Sequence, residues 1–318
     1  AVGPNVWNAW KAALLRDLYE AAEERLTGGH AAGGRDARIE YAKEEMRALL
    51  ADLPPSAIDA HIARGYPSYW LSFDADTHAW HARIAHEAES RSEPLTIKNR
   101  VDRFKGVTEI TIYADDHPGL FSRIAGAMAV SGANIVDAKI FTMADGMALD
   151  TFWVQDENGE PFDRADKLAR LYARIDQTLA GRLRPREELK KDDGVSSRMR
   201  VFKVAPRVLI DNEASRTHTV IEVNGRDRKG LLYNLTRALS SLNLQIASAH
   251  ISTFGEAAVD VFYVKDVFGL QVTHDSRLNQ IRDTLLAVMV QDSDAGADGA
   301  RPPGDSGTSV AAEVSAAE

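Results

Sequence analysis

The sequence predicts an α+β protein: an all-α N-terminal segment followed by two copies of one β-α-β-β-α-β unit. Three observations carry this. An Asp-x-x-Gly turn occurs twice, as Asp116-His117-Pro118-Gly119 and Asp227-Arg228-Lys229-Gly230, each between an alternating run and a helical stripe. Each copy is followed by two β-branched and aromatic segments around a tight turn. Ahead of both, residues 5–93 carry helical periodicity broken by glycine and proline pairs.

The chain opens Ala1-Val2-Gly3-Pro4, without an initiator methionine, directly into an amphipathic run with Trp7, Trp10, Leu14, Leu15 and Leu18. Such an abrupt start predicts a fragment of a longer protein. Helices are expected over about 5–27, 36–52, 55–64 and 75–90, with breaks at Gly28-Gly29, Gly33-Gly34 and Pro54-Pro55. Leu95-Thr96-Ile97 is an extended lead into the first repeat.

In the first repeat Ile110 and Ile112 alternate with Thr111 and Tyr113, a strand signal, and after the turn Leu120, Phe121, Ile124 and Met128 form one helical stripe. In the second, Ile221 and Val223 alternate around Glu222, and Leu231, Leu232, Leu235, Leu239 and Leu242 make the stripe. The match continues. Asn134-Ile135 aligns with Gln245-Ile246, Ala138 with Ala249, and Asp150-Thr151-Phe152-Trp153-Val154 with Asp260-Val261-Phe262-Tyr263-Val264. Second helices are expected over roughly 164–183 and 275–290. Val201–Val204 and Val208–Ile210 are expected to close the first unit as its last strand, which makes it a split βαβ, or ferredoxin-like, fold. The second unit shows no fourth strand of its own; it stops at its second helix or borrows from 201–217. Residues 184–194 read as a solvated mixed-charge linker. Residues 291–318 read as a disordered tail. The expected divisions are 1–93 helical, 94–211 first unit, 212–290 second unit and 291–318 tail. Both hairpins are apolar on two faces, Phe152 and Val154 on one and Leu149 and Trp153 on the other. A sheet with one open face alternates instead. Hence the other repeat, the N-terminal helices or a second chain should cover the second face.

Composition sets limits. The 318 residues are 44% hydrophobic and 27% charged, as in a globular protein. There is no cysteine, so no disulfide framework, thiolate metal site or cysteine nucleophile, which suits a cytoplasmic location. No run of 18 apolar residues is present. A net charge of −9 argues against sequence-independent nucleic-acid binding.

The turns are the candidate sites. Gly119 and Gly230 permit positive φ and close approach of a ligand to the backbone, and the helix start offers N–H groups to a carboxylate. Asp116 and Asp227 then meet an amino or amide group, or merely shape the turn. Pro118 stiffens the first loop. Lys229 replaces it in the second and is able to pair with a carboxylate, so the first loop is expected to be the stronger site. His117 beside Asp116 lacks a nucleophile to complete an acid/base set. His78, His81 and His86 with Glu87 suggest a metal, but no second cluster completes the site and a packed helix is preferred. His274-Asp275 reads as a helix start with Asp275 as its cap. No catalytic or metal residue is assigned.

Strand, Asp-x-x-Gly-Leu turn, helix, hairpin and helix together resemble the ACT domain, a regulatory module that binds amino acids. Further wording is closer still. Gly106-Val107-Thr108-Glu109-Ile110, Asp116–Phe121, Asp137–Thr142 and Asp145–Phe152 are similar to the bacterial bifunctional PII uridylyltransferase/uridylyl-removing enzymes. So are Gly65–Leu71 and Ala79-Trp80-His81-Ala82-Arg83, which resemble that family's connector, and Val6–Lys11, which resembles the end of its HD phosphohydrolase domain. The resemblance covers about residues 1–290. It implies an L-glutamine-sensing ACT pair in nitrogen regulation, with the PII signal-transduction protein as partner of the whole enzyme. It further implies Mg or Mn in catalytic domains outside this stretch, since no nucleotidyltransferase or HD motif occurs here. The glutamine-site residues it implies are the two loops, Asp116, His117, Pro118, Gly119 and Leu120, and Asp227, Arg228, Lys229, Gly230 and Leu231, together with the strand starts Asn134 and Ile135, and Gln245 and Ile246. Each loop would be closed by a strand start of the adjoining repeat. A stand-alone, non-enzymatic tandem-ACT binding protein is the other reading.

Overall fold

The computed structural model describes residues 35–192, 205–254 and 257–294. The helices expected over 5–27, the strand material at 201–204 and the tail beyond 294 lie outside these. Four helices come first: α1 (Arg35–Ala48), α2 (Pro55–Arg64), the single turn α3 (Pro67–Trp70) and α4 (Ala75–Arg91). Prolines at the first turns of α2 and α3 preset helical φ where no N–H is needed. Asp74 caps α4 by accepting from the Thr77 N–H at 2.8 Å.

The first repeat is β1 (Leu95–Asp102), β2 (Val107–Asp115), α5 (Leu120–Ser131), β3 (Asn134–Lys139), β4 (Met147–Gln155) and α6 (Ala165–Leu179). A short helix α7 (Pro185–Asp192) follows. The second repeat is β5 (Arg207–Asp211), β6 (Thr219–Arg226), α8 (Leu231–Ser241), β7 (Gln245–Phe254), β8 (Ala257–Lys265) and α9 (Asp275–Asp294). All eight strands form one sheet in the order β1-β2-β4-β3-β7-β8-β6-β5. That order is a palindrome of the two units. At its centre β3 pairs antiparallel with β7, and Lys139 faces His250, its own sequence equivalent, across an internal twofold.

Three expectations change. Val208–Ile210 does not close the first unit. It lies in β5 and pairs with β6, from Arg207↔Asn224 to Asp211↔Val220. The first unit's edge is β1, running from Leu95↔Ala114 to Asp102↔Val107. In each unit the edge strand therefore precedes the repeat rather than following it. The reason is proximity: the 103–106 turn puts β1 on the outer side of β2 at little loop-closure cost, so that position is filled before residues 207–211 are reached. Residues 185–192 are not a solvated loop either; they form α7, docked through the buried Pro185. A Cβ at Gly126 of α5 would sit 2.7 Å from Pro185, so the absent side chain is what lets α7 in. Finally, α9 begins at Asp275 itself, and the His274 carbonyl accepts the first helical bonds from Arg277 and Leu278.

One hydrophobic core runs under both repeats, from Ile110, Phe152 and Leu171 to Ile221, Phe262 and Leu285, between the sheet and α5, α6, α8 and α9. A second core seals the other face of the first repeat and, among the described residues, not that of the second. There Tyr69, Trp70 and Ile84 of the helical segment pack on Tyr113, Phe141 and Leu149. Among the described residues, no helix is long and apolar enough to cross a membrane.

Candidate functional site

The two Asp-x-x-Gly turns fold alike. Gly119 has φ 84° and ψ 3°, and Gly230 φ 80° and ψ 2°, left-handed values that strain any other residue. Each turn closes the same way, Leu120 N–H to His117 O and Leu231 N–H to Arg228 O, both at 3.0 Å. Each helix then starts with first-turn amides that have no acceptor within the helix.

The side chains of the turns diverge. Asp116 is exposed and its Oδ2 accepts from Thr142 Oγ1 at 2.6 Å. Asp227 is more buried, and desolvation raises its carboxyl above the ordinary range. Arg228 turns away from the loop and donates to the carbonyls of Val288 and Met289 in α9 at 2.9 and 3.0 Å. His117 and Pro118 are exposed, and so is Lys229.

A cavity of about 320 Å³ lies at the second loop. That is the small end of ligand sites, which span roughly 300–1,000 Å³. Asp227, Arg228, Lys229, Gly230 and Leu231 form one wall, and Asn134 and Ile135 from the first repeat form part of the other. The structure thus brings together the Asp227–Leu231 loop with the strand start of the adjoining repeat, Asn134 and Ile135. Gln245 and Ile246, with Asp116–Leu120, are the other expected site residues. Those seven residues take no part in the cavity at the second loop.

Sequence reasoning missed three features of the region. Glu157 lines the cavity from the turn after β4, where the second repeat has Val267. No local signal marks it, because its place depends on the neighbouring repeat. Leu189 of α7 would lie 3.1 Å from a Cβ at Gly230, so the linker helix rests on the second loop and not on the first, where Gly119 has open space. The third feature was legible. Asp150 and Asp260 occupy equivalent positions in otherwise apolar strands and are 1% and 2% exposed. In each, Oδ1 has no hydrogen-bond partner. Burial pushes the Asp260 carboxyl up to about 8, with Asp227 adding to the shift. Asp150 is raised in the same direction by burial and by Asp116. An uncharged acid behind each loop avoids the cost of an unpaired buried anion.

The histidine cluster is packing. His78 and His81 are buried against the aromatic rings of Tyr69 and Phe73. The Tyr69 hydroxyl sits 2.9 Å from His61 Nε2 and 3.2 Å from His81 Nδ1, and His81 Nε2 reaches Thr151 Oγ1 of β4 at 3.0 Å. Desolvation lowers all three rings, His61 to about 3 and His78 to about 4. Among the described residues no group of three or more His, Asp or Glu is placed to hold a metal ion.

Residues 214–292 match the ACR family N-terminal ACT domain. The chain is 56% identical over 295 residues to the bifunctional uridylyltransferase/uridylyl-removing enzyme of Azospirillum brasilense, covering 92% of this chain and 32% of that one. The enzyme of the same description from Gluconobacter oxydans is 54% identical over 290 residues, 90% of this chain and 31% of its own. That from Rhodospirillum rubrum is 47% identical over 292 residues, 92% and 31%. At such identities the chain is homologous to a segment of these enzymes, and it spans about a third of their length.

Proposed function

We propose that this chain is the amino-acid-sensing region of a bifunctional PII uridylyltransferase/uridylyl-removing enzyme, and that its ligand is L-glutamine. The observation that carries the proposal is the cavity at the second loop, walled by two repeats at once. A ligand held there touches both units, so its binding favours one arrangement of the pair over another. Only such differential binding shifts an activity elsewhere. The chemistry suits an amino acid: first-turn amides of α8 for the carboxylate, with Asn134, Asp227 and Glu157 as acceptors for ammonium and amide. Uridylyl transfer to PII and its reversal, with their Mg or Mn, belong in this proposal to the two thirds of the relatives that the chain does not span. Uptake of L-glutamine by the chain, followed by isothermal titration, is the test. Saturable heat that Asn134→Ala and Gly230→Val both weaken is expected. No heat with glutamine, but heat with another amino acid, would favour a general tandem-ACT binding protein.

A further inference from the structure

The first loop is tied to the helical segment by a continuous set of short contacts. The backbone N–H of Asp116 donates to Gly146 O at 3.2 Å, and Thr142 Oγ1 donates to the Asp116 carboxylate. Both partners belong to the turn between β3 and β4. That turn is itself closed by the Gly146 N–H on Met143 O at 3.0 Å. On its far side the Ala144 N–H donates to the backbone carbonyl of Arg64, the last residue of α2, at 2.9 Å. Arg64 Nε faces Asp145 Oδ2 at 3.3 Å as an ion-pair contact, without hydrogen-bond alignment. Its Nη2 meets Glu89 Oε1 of α4 at 2.6 Å and its Nη1 donates to the Tyr113 hydroxyl at 2.9 Å. The Arg64 side chain is 9% exposed.

We propose that Arg64 is the relay through which the helical segment reads the state of the first loop. The inference rests on the amino-acid-sensing reading of the pair, extended from the second loop to the first. The loop is bonded to the 143–146 turn through main chain and carboxylate together. The turn is bonded to Arg64 through main chain and charge together. A displacement of the loop either breaks those contacts or carries the turn with it, and the turn pulls on a guanidinium anchored in α4. The turn residues Ala144, Asp145 and Gly146 are exposed and free to move, whereas the Arg64 guanidinium is buried, and packed groups switch between discrete arrangements rather than deform smoothly. The second loop is wired differently: Arg228 holds the α9 carbonyls, and Leu189 of α7 covers Gly230.

Hydrogen exchange of the whole chain, read at the amides of α2 and α4, tests the relay by a double-mutant cycle. Gly119→Val strains the first loop without a clash, since nothing lies within 4 Å of a Cβ there. It is expected to speed exchange in α2 and α4 by about fivefold or more, and by under about twofold once Arg64→Met is present. Gly230→Val leaves the same amides unchanged in both backgrounds. Glu89 and Asp145 are 46% and 37% exposed and hydrate when the guanidinium is removed, so Arg64→Met is compatible with folding. Should that variant still not fold, Asp145→Ala cuts the turn side alone and takes its place. Equal effects of Gly119→Val in both backgrounds, or no effect in the parent, overturn the relay. Added L-glutamine separates the two ideas. No glutamine heat with the strain coupling intact removes the ligand and keeps the relay. Glutamine protection of α2 and α4 that survives Arg64→Met removes the relay and keeps the ligand.

Discussion

The two repeats share a turn, a hairpin and a buried aspartate, yet β4 is buried from Ala148 through Gln155 while β8 alternates buried and half-buried along its length. The strand sequences alone do not foretell this: both carry apolar residues on two faces. What differs is the cover. Tyr69, Trp70 and Phe73 of the helical segment lie over Phe141 and Trp153, and among the described residues no element of this chain covers Tyr263 and Val261 in the same way. An apolar face is therefore a request for a partner, and the partner's identity sets how much stability each residue contributes.

The sharpest way to break the comparison is acid. His61, His78 and His81 are buried uncharged between the helical segment and the first repeat, and their folded-state values lie below the unfolded value of about 6.5. Below pH 6.5 the unfolded chain binds protons that the folded one does not, so stability falls as pH falls from 6.5 towards about 4 and 3. The loss is on the order of 2 kcal/mol by pH 5 for each of His61 and His78, and His81 acts in the same direction. Exchange at pH 5 is expected to rise in α1–α4 and β4 before it rises in β8; simultaneous opening would show that the histidines are not what distinguishes the repeats.

Equivalent truncations come next. Trp153 is 9% exposed under Phe73 and Lys139, whereas Tyr263 is half-buried on the uncovered face. Trp153→Ala should cost about 3–5 kcal/mol and Tyr263→Ala about 1–2 kcal/mol in denaturant unfolding. Similar values would mean that the second face is covered in solution as well.

A smaller contrast lies on the helix side. Gly126 of α5 aligns with Arg237 of α8 and makes the room that α7 occupies. In an exposed helix Gly→Ala would stabilise by about 1 kcal/mol. Here the new Cβ meets Pro185 at 2.7 Å and Tyr233 at 2.8 Å, so Gly126→Ala should destabilise by about 1–3 kcal/mol. A gain in melting temperature would show that α7 is readily displaced.

The smallest effect concerns the matching turns after β4 and β8. Asp156 Oδ1 and Asp266 Oδ1 accept the same two backbone N–H groups in each, but the tips are Glu157 and Asn158 in one and Val267 and Phe268 in the other. Phe268 is 82% exposed. Phe268→Ser should change stability by less than about 0.5 kcal/mol, checked by the unfolding midpoint. A larger loss would reveal a contact made by this tip in solution.

By itself the sequence determined the repeat, the turn, the helical stripes and the pairing of hairpin strands. These are set by near neighbours: glycine at positive φ, apolar residues at helical spacing, alternation over a few residues. It equally marked Asn134, Ile135 and the Asp227–Leu231 loop as one kind of site. Tertiary structure alone decided which strand completes each unit, because an edge accepts any extended segment that reaches it, and β1 and β5 reach from upstream. It also decided that Glu157 joins the second loop's cavity, and that the charged stretch 185–192 becomes a docked helix. Those outcomes depend on space left by residues far apart in sequence, such as Gly126 beneath Pro185, and no local pattern encodes a vacancy.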